Sequence, residues 1–252
     1  MVFVAVVAVL VASAPGWPAV KQAFFDGRQF RDSLPQIASG LATNARIFFI
    51  AEAVILVLAL VIAVLRSLPG PVFFPFRALA IVYADIFRAV PAILVIYMLG
   101  FGAPALQLSG LPTSEIFWGI VALVLIYSAY VSEVYRAGIE SVHPSQEAAA
   151  RSLGLTRLQG LRFVILPQAV RRVIPPLLND FIGLQKDSAL VALLGVVEAF
   201  RQSQIDAAAT FNFTPYVATA LLFIAITIPL TRLTDWLVKR ERRRRQAAGA
   251  IV

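Results

Sequence analysis

Hydrophobic and polar positions are segregated along this chain into long apolar runs separated by short polar segments. A helix needs about 20 mostly apolar residues to cross a bilayer, and six runs reach or approach that length. They cover residues 1–20, 41–65, 79–101, 116–135, 177–200 and 216–238. The pattern therefore predicts an all-α, polytopic membrane bundle of about six transmembrane helices.

Two of the six runs contain features that complicate this prediction. The first has proline at positions 15 and 18, and Ala12-Ser13-Ala14 has the form of a signal-peptidase site. It lacks a positively charged start, which favours a spanning helix over a signal peptide. In the fifth run, Lys186 and Asp187 interrupt the apolar sequence, which predicts a non-helical stretch that faces a cavity.

The composition agrees with a membrane protein. Hydrophobic residues make up 60% of the chain and charged residues 14%, against about 45–50% and about 25% in soluble domains. The chain has no cysteine and one histidine, His143. Disulfides, thiolate metal sites and histidine-based metal centres are therefore excluded, and we expect no metal and no cofactor.

Basic residues predict the orientation. Six spans put both termini on one side, and if that side is the cytoplasm, the inside segments carry fourteen Lys and Arg residues and the outside segments four. This bias is typical of multi-pass proteins with cytoplasmic termini. The basic tail, residues 239–252, is expected to contact anionic lipid rather than nucleic acid.

The longest predicted inside segment, residues 140–176, has the pattern of two short helices. Ser145 is placed to cap the first helix, a run of alanines gives it a thin face, and Gly154 suits the left-handed residue that ends it. Thr156 is placed to cap the second helix, and Pro167 is expected to stop it. The residues alone leave open whether this helix–turn–helix contacts another protein or the lipid surface.

Residues 146–167, QEAAARSLGLTRLQGLRFVILP, resemble the EAA loop of bacterial ABC importer permeases. That pattern is Glu-Ala-Ala, three residues, Gly, nine residues, Ile, any residue, Leu-Pro. Gly154 and Leu166-Pro167 fit it, with Val164 in the Ile position. Ala148 occupies the Glu position, and Glu147 lies one residue early. Residues 83–97, 127–142 and 179–190 resemble segments of the polar amino acid branch of the same permeases.

The resemblance implies a bacterial inner-membrane permease subunit for polar amino acids, with a five-helix core and one additional N-terminal helix. It divides the chain into an N-terminal helix with an external loop (1–40), the permease domain (41–238) and the basic tail (239–252). The implied partners are a cytoplasmic ATPase dimer, a second permease subunit, an external amino-acid-binding protein and the lipid bilayer. The implied ATPase-coupling residues are Gln146, Glu147, Ala148, Ala149, Gly154, Leu166 and Pro167.

The sequence has no Gly-x-x-x-x-Gly-Lys-Ser/Thr phosphate loop, so ATP hydrolysis is expected from the partner and the chain itself is not expected to be an enzyme. A membrane-embedded enzyme is disfavoured by the lack of a metal-ligand set or a nucleophile–base pair. The alternatives that stay open are an ABC permease for another small solute, such as methionine or an opine, and an ion-coupled secondary transporter with Glu52 as the coupling carboxylate.

Charged residues within the predicted spans suggest function, because unpaired charges are costly in a bilayer. Asp85 and Arg88 lie on one helix face, where they either pair with each other or leave Arg88 for a substrate carboxylate. Glu133 and Arg136 are expected to form a structural pair, and Glu198 is expected at the outer interface. The candidate substrate-pathway residues are Glu52, Asp85, Arg88 and Lys186, together with Ser188, which belongs with Lys186 to the segment that resembles the amino acid permeases.

Overall fold

The computed structural model describes residues 2–249, with all their side chains except those of residues 4, 7, 8, 157, 241, 242 and 244–249. Every regular element in this part of the chain is helical. Eleven α-helices are joined by short turns, with a π-helical turn (Leu161–Ile165) before the ninth and a 3-10 helix (Ser188–Leu194) after it. The α-helices are α1 (Val2–Ala12), α2 (Trp17–Phe24), α3 (Gly27–Ser67), α4 (Phe74–Ala89), α5 (Ala92–Ala105), α6 (Glu115–Glu140), α7 (Pro144–Ser152), α8 (Arg157–Gly160), α9 (Leu166–Asp187), α10 (Ala199–Thr210) and α11 (Thr214–Gly249).

Three helical segments of the described chain are long and apolar enough to cross a membrane. They are Trp17–Ser67, Glu115–Glu140 and Thr214–Arg240. A fourth crossing is available if α4 and α5, which are bent by 105° relative to each other, count as one broken span. The predicted all-α membrane fold is confirmed. The first and third apolar runs are each divided between two helices, and the α-helix of the fifth run ends at Asp187, where the sequence predicted an interruption.

Proline explains two of the three breaks. The first run divides into α1 and α2 at a turn that contains Pro15, and Pro18 lies in the first turn of α2. The 11 residues of α1 rise only about 16 Å, about half the hydrocarbon thickness. The third run breaks at Pro91, which precedes α5 and has no N–H to continue α4. The α-helix of the fifth run ends at Asp187, where an interruption was predicted, but the chain continues as a 3-10 helix rather than as a non-helical stretch.

The long helix α3 also changes the predicted domain division. It runs without interruption from Gly27 to Ser67, so the predicted boundary between residues 40 and 41 falls inside a helix. The expected external loop in that region is helical as well. Of the predicted basic tail, residues 239–249 continue α11, and residues 250–252 lie outside the described part of the chain.

Helix α6 is the central element, in contact with α3, α4, α5 and α9. Two glycines permit close packing at its ends. A Cβ on Gly119 would collide with Val191 of the 3-10 helix, and a Cβ on Gly138 would collide with Val173 of α9. These two glycines are about 28 Å apart along the helix at 1.5 Å per residue. The 3-10 helix and the start of α9 therefore lie at opposite ends of a segment about as long as a bilayer is thick.

A buried polar network fixes the join between the 3-10 helix and α10. Glu198 is 0% exposed, and its carboxylate accepts hydrogen bonds from the Phe200 and Arg201 N–H groups and from Asn44 Nδ2, at 3.0, 2.7 and 2.8 Å. Gly40 permits this contact, since a Cβ there would lie 2.6 Å from the Ala199 nitrogen. The prediction that Glu198 lies at the outer interface is wrong, because it caps α10 inside the protein.

Candidate functional site

A cavity of about 350 Å³ lies at the break between α4 and α5, and we call it the central cavity. Tyr127 and Tyr130 of α6 form part of its wall, near the midpoint of that helix. Arg88 contributes a cation from α4, and Asp180 and Asp187 contribute carboxylates from α9. Charged groups of both signs therefore meet halfway along the central spanning helix.

The two aspartates differ in how their oxygens are satisfied. Asp187 Oδ2 accepts a hydrogen bond of 2.8 Å from the Tyr127 hydroxyl. Asp180 Oδ2 is buried and has no hydrogen-bond partner within the described part of the chain. Buried polar atoms in native proteins nearly always have a partner. Asp180 therefore places a covered carboxylate oxygen without a hydrogen-bond partner at the wall of the central cavity, where a small shift of the side chain would present it to a cationic or hydrogen-donating ligand.

Arg88 belongs to an ion cluster around Glu133. The Glu133 carboxylate is in contact with Arg66 and lies 3.3 Å from Arg88 and 2.8 Å from Arg136. Arg136 also pairs with Glu140. The predicted Glu133–Arg136 pair is confirmed, but it is only one part of this cluster. Because three guanidinium groups share one central carboxylate, positive charge is left at the wall of the central cavity.

The alternative in which Asp85 pairs with Arg88 is wrong. Asp85 is exposed, and among the described residues it forms no ion pair. Arg88 instead reaches Glu133 on the neighbouring helix, where the carboxylate is already held in place by Arg66. The spacing of three residues on α4 permits a pair between Asp85 and Arg88, but the packing of α4 against α6 brings Arg88 to Glu133 instead.

The other predicted pathway residues lie around the central cavity rather than in its wall. Glu52 is half-buried on α3, close enough to Asp180 for the two carboxylates to interact electrostatically. Lys186 is exposed. Ser188 is fully buried, donates to the Gln185 carbonyl at 2.8 Å and accepts from Asn44 at 3.2 Å. The hydroxyl of Ser188 is therefore part of the structural network at Glu198.

The sequence analysis did not select Asp180. A pattern that could have revealed it is the spacing of seven residues to Asp187, which corresponds to about two helical turns and puts both carboxylates on one face of α9. Tyr127 was within a segment quoted for its family resemblance, but nothing in its local sequence indicated that its hydroxyl would position Asp187.

The predicted helix–turn–helix is present as α7, α8 and the start of α9. Gly154 has φ +78°, as expected for the left-handed residue that ends α7. Thr156 caps the second helix through reciprocal bonds with Gln159 of 3.3 and 2.9 Å. The prediction for Ser145 is wrong, because His143 is the N-cap of α7 and accepts from the Ser145 N–H.

The expected stop at Leu166-Pro167 is also wrong. The second helix passes through the π-helical turn and continues as α9, in which Pro167 lies in the first turn. Proline is tolerated there, because the first N–H groups of a helix have no intrahelical partner. Leu166 and Pro167 therefore connect the helix–turn–helix directly to the helix that carries Asp180.

One side of this segment packs within the protein, and its other side is exposed. Ala150 is buried, 3.5 Å from where a Cβ on Gly160 would lie, so the two short helices pack closely. Gln146 binds Gln168 of α9 at 3.2 Å, and Glu147 pairs with Arg151 at 3.7 Å. The exposed residues of the segment include Ala148, Ala149, Leu153 (81% exposed) and Leu158 (74% exposed).

Comparisons with known proteins identify the family. Residues 56–243 match the family described as binding-protein-dependent transport system inner membrane component. The probable glutamine ABC transporter permease protein GlnM of Bacillus subtilis (strain 168) is 37% identical over 187 residues, or 73% of this chain and 83% of GlnM. The arginine transport system permease protein ArtQ of the same organism is 32% identical over 199 residues, or 79% of this chain and 89% of ArtQ.

Solved structures agree with these sequence matches. The crystal structure of an amino acid ABC transporter with histidines superimposes with a TM-score of 0.78 at 30% identity, covering 85% of this chain and 98% of the matched chain. An inward-facing structure of the MetNI methionine ABC transporter gives a TM-score of 0.66 over 82% of this chain. At 18% identity, the latter supports the fold alone.

The predicted resemblance to ABC permeases is therefore confirmed, as is the expectation of a translocation subunit rather than an enzyme. The chain belongs to the family of binding-protein-dependent transport system inner membrane components, the permease subunits of ABC transporters.

Proposed function

We propose that this chain carries amino acids through the inner membrane into the cytoplasm and that the central cavity binds them on the way. The observation that supports this most strongly is that Arg88, Asp180 and Asp187 all line the central cavity. An amino acid presents a carboxylate and an ammonium group a few ångströms apart. Arg88 supplies a planar guanidinium for the carboxylate, and the unpartnered oxygen of Asp180 supplies an acceptor for the ammonium.

The permeases named for glutamine and arginine are the relatives that suggest this cargo. The central cavity itself selects for the zwitterionic backbone, which all amino acids share. A solute without an ammonium group would leave the Asp180 carboxylate unpaired when it displaced water from the cavity, and an unpaired buried charge is costly. The charges of the cavity therefore favour amino acids over neutral small solutes.

The exposed side of the helix–turn–helix is proposed to contact a cytoplasmic ATPase dimer. Leu153 and Leu158 present apolar surface there, next to the thin face of Ala148 and Ala149. In a segment outside the apolar runs, a patch of exposed apolar side chains marks a protein-binding surface. Because the segment continues into α9, movement of the ATPases would be transmitted to Asp180 and Asp187 through one continuous helical unit.

The remaining features of the assembly follow from the same proposal. Two permease subunits would form the pathway, a binding protein would deliver the amino acid from outside, and both termini would be cytoplasmic. The permease domain would include all of α3, with α1 and α2 as an N-terminal addition and the basic end of α11 as a tail at the anionic cytoplasmic surface.

Uptake into proteoliposomes tests this function. The complete transporter is reconstituted with its ATPase and binding protein, and uptake of a panel of labelled amino acids is measured with ATP or with an imposed proton or sodium gradient. We expect uptake of one polar group of amino acids that requires ATP and persists without a gradient. Gradient-driven uptake without ATP would instead indicate a secondary transporter, and ATP-driven uptake of methionine or an opine alone would reassign the cargo.

A further inference from the structure

A second cavity lies at the end of the bundle opposite the helix–turn–helix, and we call it the distal cavity. It has a volume of about 590 Å³ and lies between α5, the 3-10 helix and the start of α10. Leu194 of its wall packs against Gly100, and Val191 of the same 3-10 helix packs against Gly119, near the start of α6. The distal cavity is therefore most of a bilayer thickness away from the Gly138 end of α6.

The distal cavity contains a cation without a carboxylate partner. Arg201 is half-buried in its wall, and among the described residues its side chain donates one hydrogen bond, of 2.9 Å, to the neutral amide oxygen of Gln204. No described carboxylate lies within ion-pair distance of it. The nearby Glu198 carboxylate accepts from the backbone N–H of Arg201 and is otherwise engaged with Asn44 and Phe200.

Aromatic side chains also line the distal cavity. Tyr97 and Phe101 of α5 stack with their ring centroids 5.6 Å apart, and both remain partly exposed. Aromatic faces attract cations such as an ammonium group. The distal cavity therefore offers a guanidinium for a carboxylate and aromatic rings for an ammonium, without the acidic side chains of the central cavity.

An apolar cluster separates the two cavities. Its buried members are Val95, Ile96, Ala122, Ile126 and Leu194. Ile126 also lines the central cavity, and Leu194 also lines the distal cavity. Along α5, the step from Ala92 in the central wall to Tyr97 in the distal wall is only about 8 Å. The cavities are thus neighbouring compartments along α5, divided by a thin apolar layer.

We propose that the distal cavity is a second amino-acid site, in which Arg201 binds the substrate carboxylate before the apolar cluster opens toward the central cavity. This inference rests on the proposed amino acid transport. The order of the sites follows from their charges. The distal site lacks an acidic side chain for the ammonium, so it binds the zwitterion more weakly than the central site, and transfer to the central cavity is downhill.

Binding stoichiometry tests the proposal directly. The nucleotide-free complex of this chain with its ATPase is equilibrated in detergent with labelled L-glutamine or L-arginine, and the bound ligand per chain is measured by dialysis. We expect two molecules per chain for the wild type. Arg201→Gln should lower the affinity of one site by roughly ten-fold or more, as expected for the loss of a charge-assisted hydrogen bond, and Asp180→Asn should weaken the other site.

Two controls separate the sites from nonspecific charge effects. Arg31→Gln removes an exposed cation from α3 and should leave both sites intact, whereas Arg201→Lys should restore part of the affinity. Butyrate, which has a carboxylate but no ammonium, should displace only the ligand at the distal site.

A single site per chain that Asp180→Asn weakens and Arg201→Gln leaves unchanged would overturn the distal site while leaving the transport function in place. Absence of both binding and uptake would overturn the proposed function itself.

Discussion

Replacement of Glu198 by glutamine is expected to destabilise the protein well beyond the usual effect of a conservative substitution. In the structure, the two carboxylate oxygens receive three hydrogen bonds, from the Phe200 and Arg201 N–H groups and from the Asn44 amide. Glutamine has one acceptor oxygen and places an N–H₂ donor where the other oxygen was. At least one buried donor then loses its partner.

The expected cost follows from that loss. A buried donor without a partner costs about 1–3 kcal/mol. In a chain of this size, each kcal/mol corresponds to roughly 2–4 °C in Tm. The Tm of Glu198→Gln should therefore fall by about 2–12 °C. The Tm of Glu198→Ala should fall further, because this substitution also removes the helix cap, which contributes about 0.5–2 kcal/mol.

Thermal unfolding of the purified protein in detergent, followed by tryptophan fluorescence, measures this effect. Glu115→Gln is the matched control, because Glu115 is exposed at the start of α6. If Glu198→Gln and Glu115→Gln both unfolded at the wild-type temperature, Glu198 would be solvated at an interface, as the sequence predicted, and the buried network would be refuted.

Three further substitutions test other parts of the structure. Gly154→Val forces a β-branched residue to φ +78°, so ATP-driven uptake should fall while ATP hydrolysis continues. Gly154→Asn, which tolerates the left-handed region, should retain uptake, and equal uptake by both variants would contradict the role of the turn. Glu133→Gln leaves its guanidinium partners without their shared charge and should lower the Tm by several degrees, whereas the exposed Asp235→Asn should leave it unchanged. Gly40→Ala puts a methyl group 2.6 Å from the Ala199 nitrogen and should lower the Tm by more than the exposed Gly27→Ala, which has open space. A wild-type Tm for Gly40→Ala would show that α3 and α10 are not in close contact.

The features that depend on local sequence were predicted best. Long apolar runs identified α6 and α11, and the left-handed Gly154 and the Thr156 cap followed from short-range preferences. The interruption after Lys186 was also predicted, because adjacent charges break an apolar run. In each case the residues that determine the structure lie within a few positions of one another.

The features that depend on packing were predicted least well. Glu133 joins Arg66 and Arg88 from two other helices, and no pattern within α6 specifies those partners. The burial of Glu198 requires Gly40 and Asn44, more than 150 residues earlier in the chain. From the sequence alone, a charged residue near the end of an apolar run is expected to be solvated, because the helix that covers it lies far away in the chain.

The candidate site combines both kinds of information. Arg88 was selected because a cation in an apolar run is costly, and in the structure it lines the central cavity. Lys186 and Ser188 were selected from the same interrupted segment, but Asp187 is the residue there that faces the cavity. The direction of a side chain at a helix end depends on how the helix ends, and the change to 3-10 geometry after Asp187 could not be predicted from composition.

The most direct test of the account is ATP-driven uptake of L-glutamine and L-arginine by the reconstituted transporter that contains Asp180→Asn. Removal of the acceptor for the substrate ammonium should lower uptake by roughly ten-fold or more, while Asp235→Asn should transport at the wild-type rate and both variants should bind the ATPase normally. Wild-type uptake by Asp180→Asn would contradict the account, because the central cavity would then not bind the amino acid through this carboxylate.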